Sequence, residues 1–149
     1  MNYWLMKSEP TECSVDDALA APDATVPWVG VRNYQARNFM RDAMHVGDGV
    51  LFYHSSCAEP GIVGIARVAS TARPDPTQFD PASPYFDAAS KPDAPRWLLV
   101  DVQVLRKVPH LTLPQLRGRP ELAELRVLQK GNRLSITPVD ALHWQAITR

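Results

Sequence analysis

The chain has 149 residues, 16 basic against 16 acidic, with 45% hydrophobic and 21% charged side chains. That length fits a single domain able to bury roughly 68–70% of its unfolded surface, and the composition excludes a disordered tail or a fibre. The charge balance excludes bulk electrostatic capture of nucleic acid, and no apolar run approaches the 18 residues of a membrane span.

Tyr3, Leu5 and Lys7 alternate with Trp4 and Met6, which predicts a first strand over 2–7. The opening MNYWLMKSEP has no basic start, long apolar stretch or small-residue cleavage site, so no secretory signal is expected. Ser14 followed by Asp17 is a capping-box pattern and predicts a short helix over 15–21. Residues 22–31 read as a loop carrying Trp28. Asn33 is placed to cap a helix over 34–44, with Ala36, Phe39, Met40 and Ala43 on one face and Tyr34, Arg37, Asn38 and Arg41 on the other. VGDG at 46–49 is a turn, and strands follow over 50–55 and 61–70, the second rich in Val and Ile.

Residues 73–95 form a proline-rich irregular excursion anchored by Phe79, Tyr85 and Phe86; so long a loop in a compact domain is functional or mobile. Val100, Val102 and Val104 mark a strand over 96–107. Pro114 suits a helix first turn, giving short helical pieces at 113–117 and 120–125. A strand over 133–137 leads to Thr137 and Asp140, a capping-box pattern opening a last helix through Trp144. Strands and small helices do not alternate regularly, which argues against a doubly wound sheet and for a compact α+β barrel.

Enzyme signatures are sparse. Cys13 and Cys57 are too few for a disulfide framework, and reduced thiols in a soluble, cytoplasmic protein are expected. His54 and Cys57 lie three apart, but no second ligand pair stands at metal-binding spacing. Ser55 and Ser56 beside His54 lack a nucleophile-elbow context, and Gly61 and Gly64 open no phosphate-binding loop. No metal or cofactor is therefore expected.

Charge is unevenly spread. Residues 9–23 hold Glu9, Glu12, Asp16, Asp17 and Asp23 without a base, and residues 30–41 hold Arg32, Arg37 and Arg41 without an acid. Arg37 and Arg41, like charges one turn apart, cost roughly 0.2–0.5 kcal/mol unless a phosphate or an acidic neighbour relieves them. Trp28 has two readings. It is a stacking face for a base, worth about 1–3 kcal/mol, or a plug for the end of the barrel. The residues alone leave both open.

The strings YWLMKSEP (3–10), WVGVRNYQARNFMR (28–41), GDGVLFYHS (47–55), GIVGIARV (61–68), PRWLLVDV (95–102) and RLSITPV (133–139) together resemble the EVE domain family across essentially the whole chain. The resemblance implies a PUA-like fold: an α+β, small, mostly antiparallel β-barrel with short peripheral helices, formed by residues 1–149 as one domain. It implies a non-catalytic module that takes a modified base, notably a modified cytosine, from DNA or RNA into an aromatic pocket. A separately encoded effector protein is a compatible partner; a membrane is not.

Carried over by position, the resemblance puts Lys7 and Ser8 at the pocket edge. Trp28 becomes an open wall with Arg32 and Asn33 beside it, and Tyr34, Gln35 and Asn38 form a helix lip. Tyr53, His54 and Ser55 stand at a strand end facing the cavity. Arg37 and Arg41 are placed to hold flanking phosphates, with Arg133 and Ser135 at the rim. An open indole would let Trp28→Ala abolish binding without loss of stability. The alternatives are an enzyme acting on a nucleoside or tRNA, with His54 and then Lys7 as its candidate groups, and a small-molecule or protein-interaction domain reusing the pocket.

Overall fold

The computed structural model describes residues 1–149. In chain order the elements are β1 (Tyr3–Ser8), α1 (Val15–Ala20), β2 (Thr25–Pro27), α2 (Tyr34–Asn38), β3 (Gly49–His54), β4 (Gly61–Val68), β5 (Arg73–Pro74), β6 (Leu98–Leu99), β7 (Asp101–Thr112), α3 (Leu113–Arg117), β8 (Ile136–Pro138) and α4 (Ala141–Thr148). Six strands form one sheet in the order β2-β7-β4-β3-β1-β8, while β5 and β6 pair separately. Every pair in the large sheet is antiparallel except β1 with β3. Register shifts at Phe52/Tyr53, Ile62/Gly64 and Ile65/Ala66 bend the central strands, because a bulge raises local twist. The sheet curls into a half-barrel with short helices around it, the α+β class read from the sequence.

Strand alternation sends side chains to two cores. Trp4, Met6, Val50, Phe52, Val102 and Val104 face one side with Trp28, Val31 and Ala36. Leu5, Leu51, Tyr53, Ile62 and Ile65 face the other with Leu116, Leu122 and Ile147. The capping box of α1 forms as read, Ser14 accepting from the Asp17 N–H and Asp17 accepting from the Ser14 N–H. Asn33 caps α2, its Oδ1 accepting from the Ala36 N–H at 3.1 Å.

Several boundaries differ from the sequence reading. The loop at 22–31 contains β2, because Val26 finds Val102 as a partner across the fold, which no three-residue local pattern announces. The helix predicted over 34–44 ends at Asn38 and continues as a wider π-helical turn, Phe39–Ala43, in which Phe39 meets Trp4 at 5.3 Å between ring centres. The strand predicted over 96–107 is interrupted at Val100, whose carbonyl accepts from the Trp28 N–H, and runs on to Thr112. The strand predicted over 133–137 is Ile136–Pro138. The capping box at Thr137 does not form: the Val139 N–H donates to the Tyr3 carbonyl and keeps this segment in the sheet. Asp140 becomes the cap residue without a side-chain bond, and Thr137 Oγ1 is buried without a partner.

Candidate functional site

Because β1 and β3 run parallel, both leave the sheet at the same end, Lys7 beside Tyr53 and Ser8 beside His54. The Ser55 N–H donates to the Ser8 carbonyl at 3.0 Å and the Lys7 N–H to the Ser135 carbonyl at 2.8 Å, so three chain segments meet there. A fourth enters from β2, where the Trp28 N–H donates to the Val100 carbonyl at 2.9 Å. Between them lies a hollow of about 540 Å³ lined by Ser8, Ser55, Ser56 and Ser135, by Lys7 and Arg133, by Glu9, Glu12 and Cys13, and by Trp28, Gly30 and Tyr85.

Trp28 is not the open indole expected. It is 6% exposed and meets Phe52 edge-on at 5.1 Å between centroids, because the chain leaving β2 carries it into the core. It still borders the hollow. The Trp4 and Trp97 indole N–H groups donate to the Asp48 and Asp87 carboxylates, whereas that of Trp28 has no acceptor in the chain. Thr137 Oγ1 alone is fully buried and unpaired, so the Trp28 Nε1–H keeps access to solvent.

The Lys7 ammonium has no ion-pair partner, and burial pulls its pKa down. Ser8 Oγ donates to the Cys13 carbonyl at 2.7 Å and holds the wall between β1 and α1. Burial, followed by the nearby Asp17 charge, pushes the Cys13 thiol up. Opposite stands Tyr85 from the 73–95 excursion. Its hydroxyl donates to Glu12, 2.6 Å from Oε1 and also touching Oε2. Burial and then Glu12 push its phenol up to about 12. The Tyr85 ring lies against Gly30 (φ +83°), where a Cβ would fall 2.6 Å from the ring; only glycine allows that approach.

Arg32 holds the excursion rather than a ligand. Nε and Nη2 donate to the Tyr85 carbonyl at 3.0 and 2.8 Å, Nη1 to Asp75 at 3.1 Å, and Nη2 to Thr77 Oγ1 at 3.0 Å. Its guanidinium also lies over the Tyr85 and Trp97 rings. Burial alone would raise the Asp75 carboxyl. Hydrogen bonds from the Thr77 hydroxyl, the Gly30 and Thr77 N–H groups and Arg32 outweigh it and hold Asp75 below the ordinary carboxylate range.

Other expected site residues stand elsewhere. Asn33 is spent on its cap. Tyr34 stacks on Trp97 at 4.7 Å, beneath the Arg37 guanidinium. Arg37 donates to Asn38 Oδ1 and to the Arg96 carbonyl, which occupies both Arg37 and Asn38. Gln35 is exposed and outside the hollow. Arg41 pairs with Asp42 on the surface. Tyr53 is buried with Leu5 and Leu51 on the opposite face of the sheet, since alternation turns it away from the hollow. His54 Nε2 accepts from the Val15 N–H at 3.1 Å, which ties β3 to the start of α1. Burial, then the neighbouring His110, lowers its pKa despite Asp16. The hollow thus gathers Lys7, Ser8, Trp28, Ser55, Arg133 and Ser135 from the expected set.

The sequence reading missed Glu9, Glu12, Cys13, Gly30, Ser56 and Tyr85 as lining residues. Glu9 stood inside a marked string and Tyr85 was marked as an anchor. Nothing local places an excursion 73 residues away beside Glu12. No three His, Cys, Asp or Glu side chains cluster so as to hold a metal ion, and no helix is long and apolar enough to cross a membrane.

A family model described as EVE domain matches residues 2–149. The chain is 50% identical over 114 residues to thymocyte nuclear protein 1 of Mus musculus, covering 70% of this chain and 50% of that protein. It spans about half the length of the first curated relatives it matches. Among solved structures, a Pseudomonas putida protein aligns with a TM-score of 0.91 at 50% identity, covering 97% of this chain and 96% of that one. Human THYN1 in complex with DNA containing 5-methylcytosine aligns with a TM-score of 0.92 at 39% identity, covering 99% and 95%.

Proposed function

This chain belongs to the EVE domain family and has its PUA-like fold, and from that premise we propose that residues 1–149 act as one unit that binds nucleic acid carrying a modified cytosine and leaves the base chemically unchanged. The observation that carries the proposal is the hollow bordered by the unpartnered Trp28 indole N–H, in a chain so similar to the human protein solved with 5-methylcytosine DNA.

A volume of about 540 Å³ suits a flipped pyrimidine with its sugar. Trp28 supplies an indole edge and a donor. Ser8, Ser55 and Ser135 supply hydroxyls that donate or accept, and Lys7 and Arg133 supply donors only. Extruding the base from a duplex costs a few kcal/mol, which contact with the indole and edge hydrogen bonds offset. Arg133 at the rim meets a flanking phosphate. Any chemistry that follows recognition belongs to a separately encoded partner.

The test is a titration of matched DNA and RNA oligonucleotides that differ in a single cytosine, unmodified or 5-methylated. Tighter binding of the methylated member supports the proposal, and the preferred polymer identifies the carrier. Equal affinity across each pair overturns it. The slope of affinity against salt counts the phosphates engaged.

A further inference from the structure

We infer that Glu12 selects an amino-bearing pyrimidine over its keto counterpart, its carboxylate accepting a hydrogen bond from the exocyclic 4-amino group while Tyr85 holds the carboxylate in place. The inference rests on the base-binding reading above and adds to it the group that tells cytosine from uracil or thymine.

The polar inventory of the hollow is unbalanced. Lys7, Arg133 and the Trp28 indole donate only, and serine hydroxyls turn either way. The obligate acceptors are the side chains of Glu9 and Glu12, and neither forms an ion pair within the chain. Carboxylates beside a polyanion weaken its attraction, so a site that keeps them needs a ligand donor to compensate.

Of the two, Glu12 is fixed in space. The Tyr85 hydroxyl donates to it at 2.6 Å, and Tyr85 is itself held by its contact with Gly30 and by the Arg32 bonds to its carbonyl. The Glu12 N–H donates to the Glu9 carbonyl at 2.9 Å, which sets the turn that carries it. Glu9 has no side-chain bond of its own. A carboxylate has about four lone-pair sites, and one hydroxyl leaves room for a ligand donor. Acceptors held before binding lose little freedom on binding, which is where selectivity is greatest.

Cytosine and 5-methylcytosine present an N4 amino donor where uracil and thymine present an O4 acceptor. Against Glu12 the keto oxygen meets a second acceptor and leaves both unpaired. Thymine and 5-methylcytosine share the 5-methyl group, so their comparison leaves the 4-substituent and the N3 proton of the same base edge as the difference.

The experiment measures affinity for duplexes carrying 5-methylcytosine or thymine opposite an abasic site, so that neither base loses a pairing partner on extrusion. Wild-type protein is expected to prefer 5-methylcytosine by about tenfold or more. Glu12→Gln, an exposed and nearly isosteric change, narrows that ratio to about threefold or less, because an amide can present a donor to O4. Glu9→Gln leaves it intact. An unchanged ratio in Glu12→Gln, or a ratio that collapses in Glu9→Gln instead, overturns the assignment while leaving the base-binding reading standing. Wild-type protein that binds neither duplex overturns both.

Discussion

Arg32 and Asp75 form the most enclosed ion pair of the molecule, Nη1 to Oδ2 at 3.1 Å with the two side chains 21% and 0% exposed. The pair fastens the 73–95 excursion onto the turn that carries Trp28. The same guanidinium grips the Tyr85 carbonyl, so one residue positions a pocket wall without lining the pocket.

Arg32→Ala should destabilise the protein by about 3 kcal/mol, because it leaves the Asp75 carboxylate buried without its cation. Arg32→Lys should recover less than half, since an ammonium cannot reproduce the forked contacts to Asp75, Thr77 and Tyr85. Urea unfolding of the three proteins measures this, and near-wild-type stability in the alanine variant would show that the pair holds nothing.

Trp28→Ala removes a buried ring packed on Phe52 and should cost about 3–5 kcal/mol along with binding. Trp28→Phe separates the two effects. It should keep the fold to within about 2 kcal/mol while losing the indole donor and about tenfold in affinity for the modified base. Calorimetric melting beside the oligonucleotide titration reads both, and full affinity in Trp28→Phe would remove the indole from the site.

Gly30→Ala meets two penalties, a positive φ and a Cβ driven into the Tyr85 ring. A loss of about 2 kcal/mol is expected, together with a fall in the preference for 5-methylcytosine over thymine as Tyr85 is pushed from Glu12. Thermal melting and the paired titration check the two parts.

Stability should decline with acidification through His54. Its folded pKa lies below the unfolded value of 6.5, so the unfolded chain binds the proton more readily. This contribution is complete above about pH 6.5 and shrinks as pH falls toward the folded pKa. Protonation also ends the bond from the Val15 N–H. His54→Gln, which retains an acceptor and does not titrate, should flatten the slope of unfolding free energy below about pH 6.5. An unchanged slope would place the titration elsewhere.

The contrast between Asn33 and Trp28 shows what could be read ahead of the structure. Asn33 was read as a helix cap and is one, because its partner, the Ala36 N–H, lies three residues away. Trp28 left two readings open, and its burial depends on Phe52 in β3, far along the chain. The Thr137–Asp140 pattern had the spacing of a cap and failed, since pairing with β1 claimed that segment first. Ser8, Ser55, Ser135 and Lys7 came from strings that resembled a family. The meeting of Tyr85 with Glu12 came from no pattern.

By itself the sequence determined the α+β class, most strands, the Ser14 and Asn33 caps and the family. Each of the local elements depends on residues a few positions apart, whose hydrogen bonds and alternation are written in consecutive letters. Tertiary structure alone decided that β1 and β3 lie parallel and that Arg32 clamps the excursion. It also decided that His54 serves α1 and that Glu12 meets Tyr85. Those contacts join positions 39 to 73 residues apart, and closing such loops is repaid only by the packing of the whole domain.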